Sequence, residues 1–300
     1  MPPSLLDEYR QSLTGKAAGT VDNYLRALTA LTAWIATQPG SDGHFQPEHL
    51  TRTALQTYLD QLGRHGYSPS HRNLVKSAAS SFADWLIDER GLLARNPARR
   101  IQIEAQPLLA PRVLSPEQRY VLKNLVERAD DVRGEALFAL GYWAGCRVSD
   151  VSHLRRDNVH LKARSGWIKV GYKGNKMRSI DLSRAAREAL AGWLDVATDS
   201  PFVFTSQRGQ RLSEAGIHHW LRTLKGQARR AEWELIADVS FHDLRHDFAH
   251  RARAAGWSLE EIAYYLGHTT KRGTPALQTT VRYTQASREQ VRDKLRLIEG

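Results

Sequence analysis

The sequence predicts a mainly α-helical chain with one small antiparallel β-sheet, divided into an N-terminal helical domain and a C-terminal α+β domain. Three observations carry this. Apolar residues recur at i, i+3, i+4 and i+7 in most patterned stretches, the spacing of an amphipathic helix. Only residues 159–182 change to a period of two, the spacing of strands. Between residues 96 and 111 the helical period stops, and Pro97, Pro107 and Pro111 punctuate an extended, basic segment. The expected boundaries are 1–100 for the N-terminal domain, 101–112 for a linker and 113–300 for the C-terminal domain.

The chain opens with a short helix over 4–13. A second helix over 20–37, capped by Thr20, places Val21, Tyr24, Leu25, Leu28, Leu31, Trp34 and Ile35 on one face. A third over 47–63 starts at Pro47, packs Leu50, Leu55, Leu59 and Leu62, and closes at Gly63. A fourth over 69–90 has Pro69 at its first position and Gly91 just past its end. Leu74, Val75, Ala78, Phe82, Trp85 and Leu86 form its apolar side. Arg72 and Lys76 lie four apart on this helix beside small residues, so they are expected to face a phosphate backbone; an ordinary solvated face is the alternative.

In the C-terminal domain, Ser115-Pro116-Glu117-Gln118 is a capping-box start. A second apolar helix over 133–143 stops at Gly145, and helix resumes through Val151 to Leu154. Trp167, Ile168 and Val170 alternate, then Lys173-Gly174-Asn175-Lys176 makes a turn, then Ser179 to Leu182 return. This is a β-hairpin with a third strand before it. Its tip carries Lys173, Lys176 and Arg178, a finger suited to a nucleic-acid groove. Helices follow over 183–197 and 213–231. The latter has a basic stripe of His218, His219, Arg222, Lys225, Arg229 and Arg230, expected to face DNA. A helix then starts at His242 and ends at Ala255 with Gly256 beyond it. Ser258 and Glu261 box the start of another, which Gly267 ends. Ser287 caps a last helix with Val291, Leu295, Leu297 and Ile298.

Of the 300 residues 41% are hydrophobic and 25% charged, the balance of a globular protein. No apolar run approaches the roughly 20 residues of a membrane span. The N-terminus has no basic segment leading into an apolar core, so no secretory signal is expected. Cys146 is the only cysteine, which fits a reducing cytoplasm. The net charge of +11 points to a polyanionic partner, nucleic acid first. Residues 1–106 hold 11 basic and 10 acidic side chains, so nearly all the excess lies in the C-terminal part.

The candidate chemistry lies there too. His242 and Arg245 share a face at a helix start, where backbone N–H groups also favour anions. His268 follows the helix-ending Gly267, and Tyr283 sits in a polar, basic setting after Thr279-Thr280-Val281-Arg282. Cations for a phosphate, imidazoles for protons and a phenol nucleophile suit attack on a phosphodiester. Arg147 follows Gly145 between two apolar helices; paired with Asp150 it is a junction residue, and otherwise a candidate for the same site. His242, His246 and His250 have the spacing of zinc ligands, but the motif contains a cation and lacks a glutamate base. No metal or cofactor is expected.

His242-Asp243-Leu244-Arg245, then Leu266-Gly267-His268, then Tyr283 after a Thr-Thr pair resembles the C-terminal signature of the tyrosine recombinases, the phage integrase family that includes the Xer-type enzymes. Gly145, Arg147, Ser149 and Asp150 are similar to that family's first arginine motif, with aspartate where glutamate is commoner. Lys173, with Lys176 as runner-up, matches its hairpin lysine. The resemblance implies a SAM-like helical core-binding domain that clamps DNA, and an α+β catalytic domain of the tyrosine recombinase/type IB topoisomerase kind. It implies a site-specific recombinase in which Tyr283 attacks DNA to give a 3′-phosphotyrosyl link. Arg147 and Arg245 would hold the phosphate, Lys173 protonate the leaving 5′ oxygen, His242 assist proton removal and His268 bond the phosphate. It also implies a tetrameric synapse, with the last helix docking in a neighbouring protomer. Fourteen residues separate His268 from Tyr283, more than in Xer-type members. A type IB-like topoisomerase and a non-catalytic DNA-binding protein are the alternatives.

Overall fold

The computed structural model describes residues 4–104, 113–171 and 177–268. The chain divides into two compact units, Met1–Leu108 and Leu109–Gly300.

The first unit is helical among its described residues: α1 (Leu5–Ser12), α2 (Ala18–Ala36), α3 (Arg52–Arg64) and α4 (Pro69–Asp88). Ser4 caps α1 and Ser68 caps α4, each taking an N–H of the first turn, a contribution of about 1 kcal/mol apiece. Leu28, Leu31 and Ile35 of α2 meet Leu55 and Leu59 of α3 and Phe82, Ala83 and Leu86 of α4 in one core. Tyr9 of α1 sets its ring edge-on to Phe82 at 5.1 Å. Each such aliphatic or aromatic side chain contributes about 1.5–3 kcal/mol by leaving water.

The helix expected over 47–63 is two elements, a 3-10 turn at Pro47–His49 and then α3. Leu50 turns out of helical geometry and into the core, and the Thr51 hydroxyl accepts the Ala54 N–H to start a fresh helix. Arg72 and Lys76 do not face outward for phosphate. Arg72 is buried against Gly63 and ion-paired with Glu104, while Lys76 Nζ donates to the Ile101 carbonyl at 2.5 Å. Both cations strap the segment after α4 to its own helix. Asn96 completes the strap. It donates to Ser80 and Asp84 and accepts the Ala98 N–H at 2.8 Å, so Ala98 and Ile101 enter the core.

The second unit places α5 (Pro116–Ala129), α6 (Val132–Tyr142) and α7 (Val148–Ser152) before a three-stranded antiparallel sheet. The strands are β1 (Val159–Leu161), β2 (Gly166–Val170) and β3 (Arg178–Asp181), in that order. Their register pairs Val159 and Ile180 with Ile168, which sinks one face into the core. Then come α8 (Arg184–Val196), α9 (Glu214–Gly226), α10 (Arg230–Ile236), α11 (Phe241–Ala254) and α12 (Leu259–Leu266). α6 is buried on every side from Ala136 to Tyr142, so it is the post around which the unit is built.

The helix expected over 213–231 breaks into α9 and α10 at 227–229. Lys225 leaves the expected basic stripe: it is buried, and its Nζ donates to the Ala237 and Val239 carbonyls at 2.7 and 2.8 Å. These carbonyls precede α11, so Lys225 fixes the entry of that helix. His218, His219, Arg222, Arg229 and Arg230 stay exposed. Among the described residues no helix is long and apolar enough to cross a membrane.

Candidate active site

The site is built on three chain ends: the start of α7, the start of α11 and the end of α12. Gly145 lets the first form. Its φ of +60° suits glycine, and a Cβ there would lie 2.8 Å from Phe248 Cδ1. The chain therefore turns sharply after α6 and delivers Arg147 at the N-cap of α7. Asp150 Oδ2 accepts the Arg147 backbone N–H at 3.1 Å, closing the turn.

α11 opens at Ser240, whose N–H and hydroxyl both donate to Asp243 Oδ2 at 2.7 Å. One turn in, Arg245 is wholly buried. Its fork donates to the Gly145 carbonyl at 2.6 Å and the Leu266 carbonyl at 2.7 Å, which ties α11 to the other two chain ends. A buried guanidinium is tolerated because these partners replace water. His242 precedes it on the solvent side, its ring crossing that of His246 at 4.4 Å and 79°.

α12 starts at a true capping box, Ser258 with Glu261, and ends at Gly267 with φ +65°. The left-handed turn sends its carbonyls back towards the arginines. Arg147 Nη2 donates to the Gly267 carbonyl at 3.2 Å. It also buries His268, whose Nε2 lies 3.0 Å from Arg245 Nη2. Arg147, Arg245 and His268, far apart in sequence, thus converge on one helix end.

Their electrostatics follow. Burial, with Arg245 and Arg147 adding repulsion, pushes the His268 imidazole down to about 3, so it is neutral at pH 7. Burial and His242 push His246 down to about 4. His242 is also lowered, by partial desolvation and then Arg245, which leaves it an unprotonated base near neutrality. Burial raises the Cys146 thiol to about 12 and makes it unreactive.

Two features have no signal in the sequence. Arg178, expected on a hairpin finger, instead points inward. Its Nη2 meets Asp150 Oδ2 at 2.7 Å and its Nε donates to the Tyr265 carbonyl at 3.3 Å. On the far side of α11, Asp247 is fully buried between Arg119 and Arg251, each at 2.8 Å. Arg251 also donates to the Tyr142 carbonyl and stacks 4.0 Å from the Tyr142 ring, which pins α11 to α5 and α6. Neither is visible in the sequence because each partner lies far along the chain. Lys173, Lys176, Tyr283, the stretch 269–282 and the helix expected after Ser287 lie outside the described residues. Among the described residues, no group of three or more histidine, cysteine or acidic side chains is placed to hold a metal ion.

The phage integrase family model matches residues 112–290. The chain is 32% identical over 293 residues to the tyrosine recombinase XerC of Neisseria meningitidis, spanning 93% of this chain and 90% of that one. It is 29% identical over 267 residues to XerC of Pseudomonas aeruginosa, spanning 87% and 84%. Among solved structures, the Tn1549 transposon integrase in complex with transposon right end DNA has a TM-score of 0.75 at 15% identity, covering 99% of this chain and 98% of that one. The XerH site-specific recombinase bound to its difH substrate has a TM-score of 0.70 at 16% identity, covering 98% and 84%. At those identities the two structures show a shared fold.

Proposed function

This chain belongs to the phage integrase family, as a tyrosine recombinase of the Xer type, and from that premise we propose how its residues cut and rejoin DNA. The protein is a site-specific DNA recombinase. The observation that carries the mechanism is the meeting of Arg147, Arg245 and His268 at the end of α12. In this reading the Arg147 and Arg245 guanidiniums, both bonded to carbonyls at that helix end, take the non-bridging oxygens of one phosphate.

Tyr283 supplies the nucleophile. Its phenolic oxygen forms the bond to phosphorus while the bond from phosphorus to the 5′ oxygen breaks. The product is a 3′-phosphotyrosyl link and a free 5′-hydroxyl. His242, neutral near pH 7, receives the phenolic proton. Lys173 gives its proton to the departing oxygen. Arg147 and Arg245 stabilise the charge of the five-coordinate transition state; losing one such donor costs about 3–4 kcal/mol of barrier. His268 donates from its other ring nitrogen. The reverse attack by a 5′-hydroxyl rejoins the strand, so the bond energy is conserved and no nucleotide is consumed.

The protein acts in the cytoplasm on double-stranded DNA carrying a specific recombination site. It works as a tetramer that pairs two sites, with the helix after Ser287 docking in a neighbouring protomer. The charge supports a DNA partner, since the excess of basic residues lies almost entirely after residue 106.

Covalent capture tests this reading and identifies the target site at the same time. The protein and its Tyr283→Phe version are expressed in host cells, isolated under denaturing conditions, and the attached DNA is sequenced. DNA held by the first and not the second, sharing one sequence, is expected. Scattered attachment would indicate topoisomerase-like action instead, and no attachment would indicate a binding protein.

A further inference from the structure

Arg178 is an arginine that the proposed chemistry leaves unused, and its surroundings are unusually specific. It stands at the first position of β3, with its side chain running under the end of α12. Its Nη2 is 2.7 Å from Asp150 Oδ2, the same oxygen that accepts the Arg147 backbone N–H. Its Nε donates to the Tyr265 carbonyl in the last turn of α12. Its Cδ lies only 2.6 Å from where a Cβ on Gly267 would be. Gly267 is in turn the residue whose carbonyl receives the Arg147 guanidinium.

One planar side chain therefore touches both chain ends that bring Arg147 and His268 together. The ion pair is largely out of water, with side-chain exposures of 15% and 5%. Asp150 is satisfied by this contact and by the Arg147 turn, so its charge is spent on geometry. A lysine could pair with Asp150 but could not also reach Tyr265, because it lacks the fork.

We propose that Arg178 is a positioning residue for strand cleavage: it locks the start of α7 to the end of α12, so that Arg147 and His268 address one phosphate. This rests on the cleavage reading above. Arg178 contacts no DNA in this role. A misplacement of about 1 Å at a catalytic group can cost on the order of a hundredfold in rate, so a lock on these two chain ends has a large effect on the chemistry.

The test compares wild type, Arg178→Ala and Arg178→Lys in the same host cells. Covalently attached DNA reports cleavage. Formaldehyde-crosslinked DNA, measured in Tyr283→Phe backgrounds, reports binding alone. Arg178→Ala should lose covalent DNA by roughly tenfold or more while crosslinked occupancy stays within about twofold. Arg178→Lys should recover part of the loss. Combining Arg178→Ala with Asp150→Asn should be no worse than Arg178→Ala alone, since both break one lock. Unchanged cleavage, or equal loss of cleavage and occupancy, or losses that multiply, would each overturn the assignment. Amide exchange in the purified chains checks it without cleavage. Arg178→Ala should speed exchange at α7 and at Gly267 and His268 while leaving α6 protected, and uniform or absent change would refute the lock. A wild type that attaches no DNA would sink the cleavage reading, and the exchange result would still decide the role of Arg178.

Discussion

Arg245 Nη2 lies 3.0 Å from His268 Nε2, with both side chains inside the protein. A guanidinium has no acceptor, so Nε2 must accept and the imidazole proton must sit on Nδ1. The arginine thereby sets the histidine tautomer, and with it which nitrogen can donate to a phosphate.

Arg245 ties three helix ends together, and in the proposed cleavage it also holds the phosphate. Arg245→Ala leaves the Gly145 and Leu266 carbonyls unmet and should cost about 3–5 kcal/mol of stability, read as a fall in Tm. Arg245→Lys keeps the charge without the fork. It should fold better than alanine yet lose about 10²–10³ in the rate of covalent attachment.

Stability should fall in mild acid. His268 has its folded pKa pushed down to about 3, below the ordinary value near 6.5, so the unfolded chain binds the proton first. Stability is then complete above about pH 6.5 and declines as pH drops towards 3, by up to about 1.4 kcal/mol per pH unit from this group. Tm measured from pH 7.5 to pH 5 should decrease, and His268→Asn should flatten the curve. An unchanged slope in that variant would remove His268 as the cause.

Gly267→Ala tests the end of α12. The left-handed turn at φ +65° alone costs a side chain about 1–2 kcal/mol, and the new methyl would press on Arg178 Cδ. The expected result is a modest loss of Tm with a larger loss of covalent attachment. Gly66, also at positive φ but with open space where a Cβ would go, is the control: Gly66→Ala should lower Tm without changing cleavage per folded molecule.

Asp247→Asn should leave Arg119 and Arg251 facing a neutral group in a buried setting. Breaking such a pair typically costs about 3–5 kcal/mol, and the retained shape should place this variant at the lower end. Chemical denaturation should show a lower midpoint with an unchanged slope.

Helical periodicity makes most of the elements legible. α2, α4, α8, α11 and α12 can be read from apolar spacing and caps, since both are encoded within a few residues. Leu50-Thr51 and 227–229 hide helix breaks because their apolar spacing continues through the break. At the site, Arg147, His242, Arg245 and His268 can be named from local motifs. Their convergence cannot, because it depends on carbonyls at Gly145, Leu266 and Gly267 that no pattern marks. Arg72, Lys76, Arg178 and Lys225 show the limit most clearly. A basic side chain reads as surface until its acceptor is known, and here each acceptor belongs to another element or to the chain beyond it.

The buried end of α12 has a mechanical consequence. His268 is 4% exposed and tied to Arg245, so the chain that continues towards Tyr283 starts from a fixed post inside the cluster of Arg147, Arg245 and His268. Tyr283 is fifteen residues on, and fifteen residues span at most about 50 Å. In the cleavage proposed above, the number of residues after that post limits which phosphate Tyr283 can reach, so trimming or lengthening the 269–282 stretch should change the choice of cleavage site more than the cleavage rate.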